Sequence, residues 1–383
     1  MSESTNNKKK ELIIWHEFDG PGDTSIEVLE EICRLYSERN DINVTTEVMN
    51  IKVMGERIGE VHRGGPSPHI AFAPSDMVGY SDIGNLSKVP SDQYAGLLSE
   101  RVLSTMTIGN ELYGVPILNG NHLVLYYNNE LFPQAPLTWA DIEEAAPALL
   151  SQGVTPIAAD LAQSYWFIPF FTAFGGWPMK DGMPSIGEPA MKEALAFVKE
   201  QIGQGTLASL DGSNGLIEQF IDGKIGAIIC GEWIFNHLDK HLQEKLSICR
   251  LPRLNAGQAL TFSSSIGFMY PGGSLESEMR EDILDFTNFV LSEECQLMWA
   301  NKVQRIPADE KVLQQLIATS SSNKAEIISQ LQFSQPMPND RSVIHVWLSI
   351  AEGLQLLPNH SVDDAFNAMN KKLEESLQNA QLA

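Results

Sequence analysis

Residues Leu112–Phe132, which read YGVPILNGNHLVLYYNNELF from Tyr113 onward, run directly into Pro136–Gly153, PLTWADIEEAAPALLSQG. The pattern is that of a strand leaving one globular lobe, a crossover, a second strand ending at Asn128, and a helix that starts at Thr138 with Asp141 as its capping partner three residues on. A chain with such a join passes from one lobe to another. Its 383 residues are too many for one ordinary core, so two domains of roughly 150–200 residues are expected.

Upstream of the join, strand and helix patterns alternate. Leu12–Trp15 is a short apolar run. Thr24–Tyr36 follows as a helix with Ile26, Leu29, Cys33 and Tyr36 on one stripe, and Thr24 and Glu27 form a candidate capping box. Asn43–Val48 and His69–Ala73 read as further strands. A β-α-β-α-β start predicts an α/β fold with mainly parallel sheets and a ligand site beyond the carboxyl ends of the strands. Ser320–Asn323, in TSSSNK, is the clearest linker-like patch. Cys33, Cys230, Cys249 and Cys295 form no CxxC pair and read as small buried hydrophobes.

The balance of 49 acidic against 26 basic residues, a net charge of -23, opposes nucleic-acid binding and association with anionic membrane surfaces. A neutral or cationic ligand suits it better. No apolar run approaches the ~20 residues that span a bilayer, so a soluble protein is expected. The opening MSESTNNKKKELIIWHEF lacks the apolar stretch and cleavage site of an export signal. Either a signal has been removed or the protein works in the cytoplasm.

Several segments in order carry a family pattern. The join contains a GVP-like crossing, then LYYN with an acidic residue and Leu-Phe, then P-x-TW-x-(D/E). Pro68–Leu86, PHIAFAPSDMVGYSDIGNL, is similar to a P-D-I-x-F-x-x-x-D segment, with Ile70, Phe72, Asp76, Tyr80 and Gly84 matching and His69 where an acidic residue is usual. Phe220–Trp233, FIDGKIGAIICGEW, is similar to F-x-x-G-K-x-A-M-x-x-x-G-x-W, with Gly226 and Ala227 replacing Ala-Met. Ile283–Met298 resembles the helix before a G-x-x-P turn that ends at Arg305–Ala308, with Gln304 at the glycine position, and Met337–Trp347 resembles an M-P-x(8)-W run. Together these resemble the maltose/maltodextrin-binding type of extracellular solute-binding protein, the receptor of ABC sugar importers.

The resemblance implies a two-lobe periplasmic-binding-protein fold with a hinge and an inter-lobe ligand cleft. Its crossings would lie near Leu118–Leu123, Ser263–Gly267 and Val312–Ser320. The N-terminal lobe would comprise 1–118 plus 266–317, and the C-terminal lobe 119–265 plus 318–383. The glycines and serines at the first two crossings suit segments that approach a ligand and change φ/ψ. Sugar recognition needs aromatic faces for ring C–H groups, and carboxylates or amides for paired hydroxyls. Matched positions are Glu17 and Asp19 in the first binding loop, Asp76 in the second, Gln163, Tyr165 and Trp166 in the C-terminal lobe, and the stacking residues Trp233 and Trp347. Asn119, Asn121 and His122 lie on the first crossing and Ser265 on the second. Gly20 and Ala73 replace a lysine and a tryptophan of the maltodextrin binders, which puts that selectivity in question.

Plainer readings stand beside these. Trp233 could be core, Asp76 could cap the following helix, and Glu17 and Asp19 could be solvated loop carboxylates. Trp15 and Trp139 read as core or cap residues and Tyr80 as structural. His237 and His241 share a helical face without a third ligand, and a solvated face is the default there. No metal or cofactor is expected. Paired carboxylates among Glu17, Asp19, Asp76 and Glu232 keep a glycosidase in view. Yet no GxSxG, HExxH or Walker pattern occurs, and DGPGDT at Asp19–Thr24 lacks phosphate-loop spacing. The expectation is a monomeric, non-enzymatic receptor, periplasmic or at the cell surface, that delivers a saccharide to ABC permease subunits. A cytosolic sugar sensor of the same fold, and less so a carbohydrate-cleaving enzyme, are the alternatives.

Overall fold

The computed structural model describes residues 9–187, 189–210 and 215–382. The polar start of the chain, residues 1–8, lies outside the described residues. The chain divides into two compact units, Met1–Asn119 with Ser264–Leu316, and Gly120–Ser263 with Ile317–Ala383. Each unit has its own hydrophobic core.

The strands that organise them, in chain order, are β1 (Lys10–His16), β2 (Ile42–Val48), β3 (Ile70–Pro74), β4 (Gly114–Gly120), β5 (Leu123–Asn128), β6 (Thr155–Ala159), β7 (Leu207–Ser209), β8 (Ile225–Gly231), β9 (Leu246–Cys249), β10 (Phe262–Met269), β11 (Ile306–Pro307) and β12 (Gln335–Pro336). The first unit's sheet has the order β11-β4-β10-β3-β1-β2, and the second unit's has β7-β6-β8-β5-β9.

Pairing is mixed rather than mainly parallel. β1 runs parallel to β2 and β3, and β6 parallel to β7 and β8, because helical crossovers return each strand in the same direction. Strands next to the crossings run the other way: β10 is antiparallel to β3, β11 to β4, and β5 to both β8 and β9. β10 also changes partner along its length. Phe262 and Ser263 pair with Gln335 and Pro336, whereas Ile266–Met269 pair with Pro74–Ala71.

The first helix, Ser25–Arg39, buries Val28, Leu29, Ile32, Cys33 and Tyr36, so the stripe read from the sequence is correct for three residues while Ile26 is only half-buried. Its start differs from the expected Thr24/Glu27 capping box. Thr24 makes no side-chain cap bond, and Asp23 Oδ1 instead accepts the Ser25 N–H at 2.8 Å. The helix Trp139–Ser151 does begin with the expected box: the Thr138 N–H donates to Asp141 Oδ2 at 2.8 Å, and the Asp141 N–H to Thr138 Oγ1 at 3.3 Å. The serine patch before Lys324 is no linker, since Ser321 caps the helix Ser322–Phe333 by accepting the Lys324 N–H.

Trp15 and Trp139 are buried, the latter against Phe170 and Phe197. All four cysteines are buried free thiols. Burial pushes Cys33, Cys230 and Cys249 up to about 12 and Cys295 to about 11, which keeps them protonated at neutral pH. Among the described residues no helix is long and apolar enough to cross a membrane.

Candidate ligand site

In the first unit the parallel pairing of β1 and β3 sets His16 level with Phe72, so the segments that follow both strands emerge at one edge of the sheet. Glu17 follows β1 directly, and Asp76 lies two residues beyond Pro74. Phe18 anchors this edge. It is buried, with its ring centroid 5.0 Å from Phe72 and 6.1 Å from Trp299. Short backbone bonds tighten the loop: the Asp19 N–H donates to the Glu17 carbonyl at 2.8 Å, and the Asp23 N–H to that of Gly20 at 3.0 Å.

Asp19 and Asp76 are exposed and Glu17 is half-buried. The Glu17 carboxyl is held well above the usual carboxylate range, chiefly by desolvation and then by the neighbouring Asp23, with Asp19 and Asp76 adding and Arg305 opposing. The three carboxylates therefore form one acidic corner. The other two predicted residues of this unit differ. Asn119 is half-buried in β4, level with Ile306 of β11. Ser265 is fully buried and its hydroxyl accepts from Thr105 Oγ1 at 2.8 Å.

In the second unit the matched aromatics gather into one wall. Ring centroids are 5.7 Å apart for Tyr165 and Trp166, 6.1 Å for Trp166 and Trp233, and 6.4 Å for Tyr165 and Trp347. Most of the pairs are steeply tilted or edge-on, the geometry favoured by ring quadrupoles. Three elements supply them. The helix Ser164–Ala173 carries Tyr165 and Trp166, the end of β8 leads to Trp233, and the helix Val343–Leu356 carries Trp347. Ser164 Oγ donates to the Trp347 carbonyl at 2.7 Å and joins two of them. Gly231 makes room for the third, because a Cβ there would lie 2.1 Å from the Trp233 ring. Trp166, Trp233 and Trp347 are all partly exposed.

Two members were not foreseen. Phe262 packs 5.8 Å from Trp347, and Trp177 packs 5.2 Å from Phe262. The Phe-Gly-Gly-Trp run at Phe174–Trp177 was the available signal, since Gly176 lies where a Cβ would collide with the Phe171 ring.

Tyr165 has a second task. Its hydroxyl lies 2.5 Å from the Asn121 carbonyl and 3.2 Å from that of Phe262, on the two segments where the chain enters and leaves this unit. Asn121 adopts a left-handed φ of 42°, and its N–H donates to Glu232 Oε1 at 3.4 Å. His122 is fully buried with Nε2 2.9 Å from the Ile327 carbonyl, a contact that ties the crossing to the helix Ser322–Phe333. Gln163 is exposed at the start of the aromatic helix, and its Nε2 donates to Asp160 Oδ2 at 2.7 Å. The rings of His237 and His241 lie 4.3 Å apart, tilted by 43°, with the His241 Nδ1 on the His237 carbonyl at 2.8 Å. Among the described residues no cluster of three or more metal-ligating side chains occurs.

The acidic corner belongs to one α/β unit and the aromatic wall to the other, and three chain crossings join the units. A sequence model of the bacterial extracellular solute-binding protein family matches residues 31–327, and this chain belongs to that family. It is similar to a maltooligosaccharide ABC transporter solute-binding lipoprotein of Streptococcus pneumoniae, strain R6, at 25% identity over 83% of this chain and 78% of the relative. It is also similar to two proteins of Bacillus subtilis strain 168. The maltodextrin-binding protein MdxE is 25% identical over 92% of this chain and 89% of the relative, and a galactooligosaccharide-binding protein is 23% identical over 94% and 88%.

Proposed function

We propose that this protein captures an oligosaccharide and delivers it unchanged to the permease subunits of an ABC importer. The observation that carries this reading is the aromatic wall of the second unit, where Trp166, Trp233 and Trp347 come from three separate elements and leave ring surface open to solvent. Such surfaces suit the C–H faces of sugar rings, while exposed carboxylates such as Asp19 and Asp76 accept sugar hydroxyls. The named relatives bind maltooligosaccharides, maltodextrin and galactooligosaccharides, which supports the ligand class and leaves its linkage open. The receptor acts as a monomer outside the membrane, in the periplasm or at the cell surface, without nucleic acid.

Calorimetric titration with a panel of maltooligosaccharides and galactooligosaccharides tests the proposal, with chromatography of the sugar after long incubation. Saturable binding of at least one member, recovered intact, is expected. No binding across the panel, or recovery of cleaved sugar with catalytic amounts of protein, would sink it.

A further inference from the structure

Arg305 lies in the turn after the helix Glu293–Lys302 and is 1% exposed. The chain holds it on both sides. Gln304 takes the left-handed φ of 57°, the Arg305 N–H donates to the Trp299 carbonyl at 3.0 Å, and Ile306 and Pro307 pair with Asn119 and Leu118. The guanidinium reaches the start of the first helix, where Nη1 donates to Ser25 Oγ at 2.8 Å and lies 3.6 Å from Asp23 Oδ2. Asp23 in turn accepts the Ser25 N–H through Oδ1, and its side chain is 9% exposed.

We propose that Arg305 is a positioning residue for sugar binding: buried beneath the Glu17–Ser25 loop, it ties Asp23 and Ser25 together and so presents Glu17 and Asp19 to the ligand. The inference rests on the reading that this corner meets a saccharide. Its physical basis is the cost of the arrangement. A buried guanidinium is heavily desolvated and is retained only where a carboxylate and further acceptors meet it. Without it, Asp23 would be left nearly dry beside Glu17, and the loop would have to open to hydrate both. The charged groups around Glu17 are Asp19, Asp23, Asp76 and Arg305. Asp23 and Arg305 act on it in opposite senses, and this makes the role separable from general support of the fold.

The experiment follows the Glu17 carboxyl by NMR in ligand-free protein carrying 13C-labelled glutamate, assigned with E17Q, beside calorimetry with maltotriose. R305Q is expected to raise the Glu17 titration midpoint and D23N to lower it, while R305Q weakens maltotriose about tenfold through loss of a preorganised loop. R305K keeps the charge without the fork. It is expected to hold the midpoint near that of the parent and still weaken maltotriose, and it decides the matter if R305Q does not fold. Midpoints that stay put in both R305Q and D23N, or move the same way, overturn the inference, as does an R305K protein that binds as tightly as the parent. If the parent binds no oligosaccharide at all, the functional reading fails, and the NMR arm still decides whether Arg305 governs the loop.

Discussion

Burial drives His16 down to about 4 from 6.5, and its Nδ1 accepts the Phe18 N–H at 3.3 Å, an arrangement available to the neutral ring. The unfolded chain therefore takes up the proton first. The stability this residue contributes is present above pH 6.5 and is lost as pH falls from 6.5 toward about 4, by up to roughly 3 kcal/mol at ~1.36 kcal/mol per unit. Urea unfolding of the parent and of His16→Gln at several pH values should show the parent losing more across that window; parallel curves would refute the assignment. At the same scale, Trp233→Ala and Trp347→Ala should each weaken oligosaccharide binding by ~1–4 kcal/mol with the fold intact. Unchanged affinity in both, measured by calorimetry, would remove the two indoles from the site.

Elements matter here through the way they aim side chains. β8 ends at Gly231, whose missing Cβ lets the Trp233 ring lie across the strand terminus. Gly231→Ala should displace that ring and lower sugar affinity about as much as Trp233→Ala does, while leaving the five-stranded sheet in place. Near-ultraviolet dichroism beside calorimetry checks this, and native affinity with an unaltered tryptophan spectrum would contradict it. The helix Ser164–Ala173 contributes through the Tyr165 hydroxyl, near carbonyls of two chain crossings. Tyr165→Phe keeps the ring and removes that bond, so unfolding should become easier by ~0.5–1.5 kcal/mol, the usual net worth of an internal hydrogen bond. An unchanged urea midpoint would show that water replaces it without loss.

For the whole molecule, a ligand that binds only the folded protein stabilises it by RT ln(1 + [L]/Kd), about 2.7 kcal/mol at a hundredfold excess. The oligosaccharide that titrates in calorimetry should therefore raise the melting temperature by a few degrees in a chain of this size. Calorimetric binding with no shift at saturation would mean that the unfolded chain binds as well.

Much of this was legible in the linear chain because the signals are local. The Thr138/Asp141 capping box, the Leu29–Cys33–Tyr36 stripe and the β-α-β-α-β order depend on neighbours a few residues apart, and the ordered motifs identified the family. Other features depend on residues far apart in the chain. Trp166, Trp233 and Trp347 become one wall only when three elements pack; Phe262 joins it without any motif to announce it, and Trp177 with only the Phe-Gly-Gly-Trp run to mark it. Ser265 stands on the second crossing, and only the fold sets its hydroxyl against Thr105, 160 residues earlier. Arg305 looked like part of a turn until the fold brought Asp23 and Ser25, some 280 residues earlier, into contact with it. Backbone preference and hydrophobic period act along the chain, so the sequence by itself determined the elements and their order. Burial and charge pairing act through space, so only the tertiary structure decided which side chains face solvent and which hold them there.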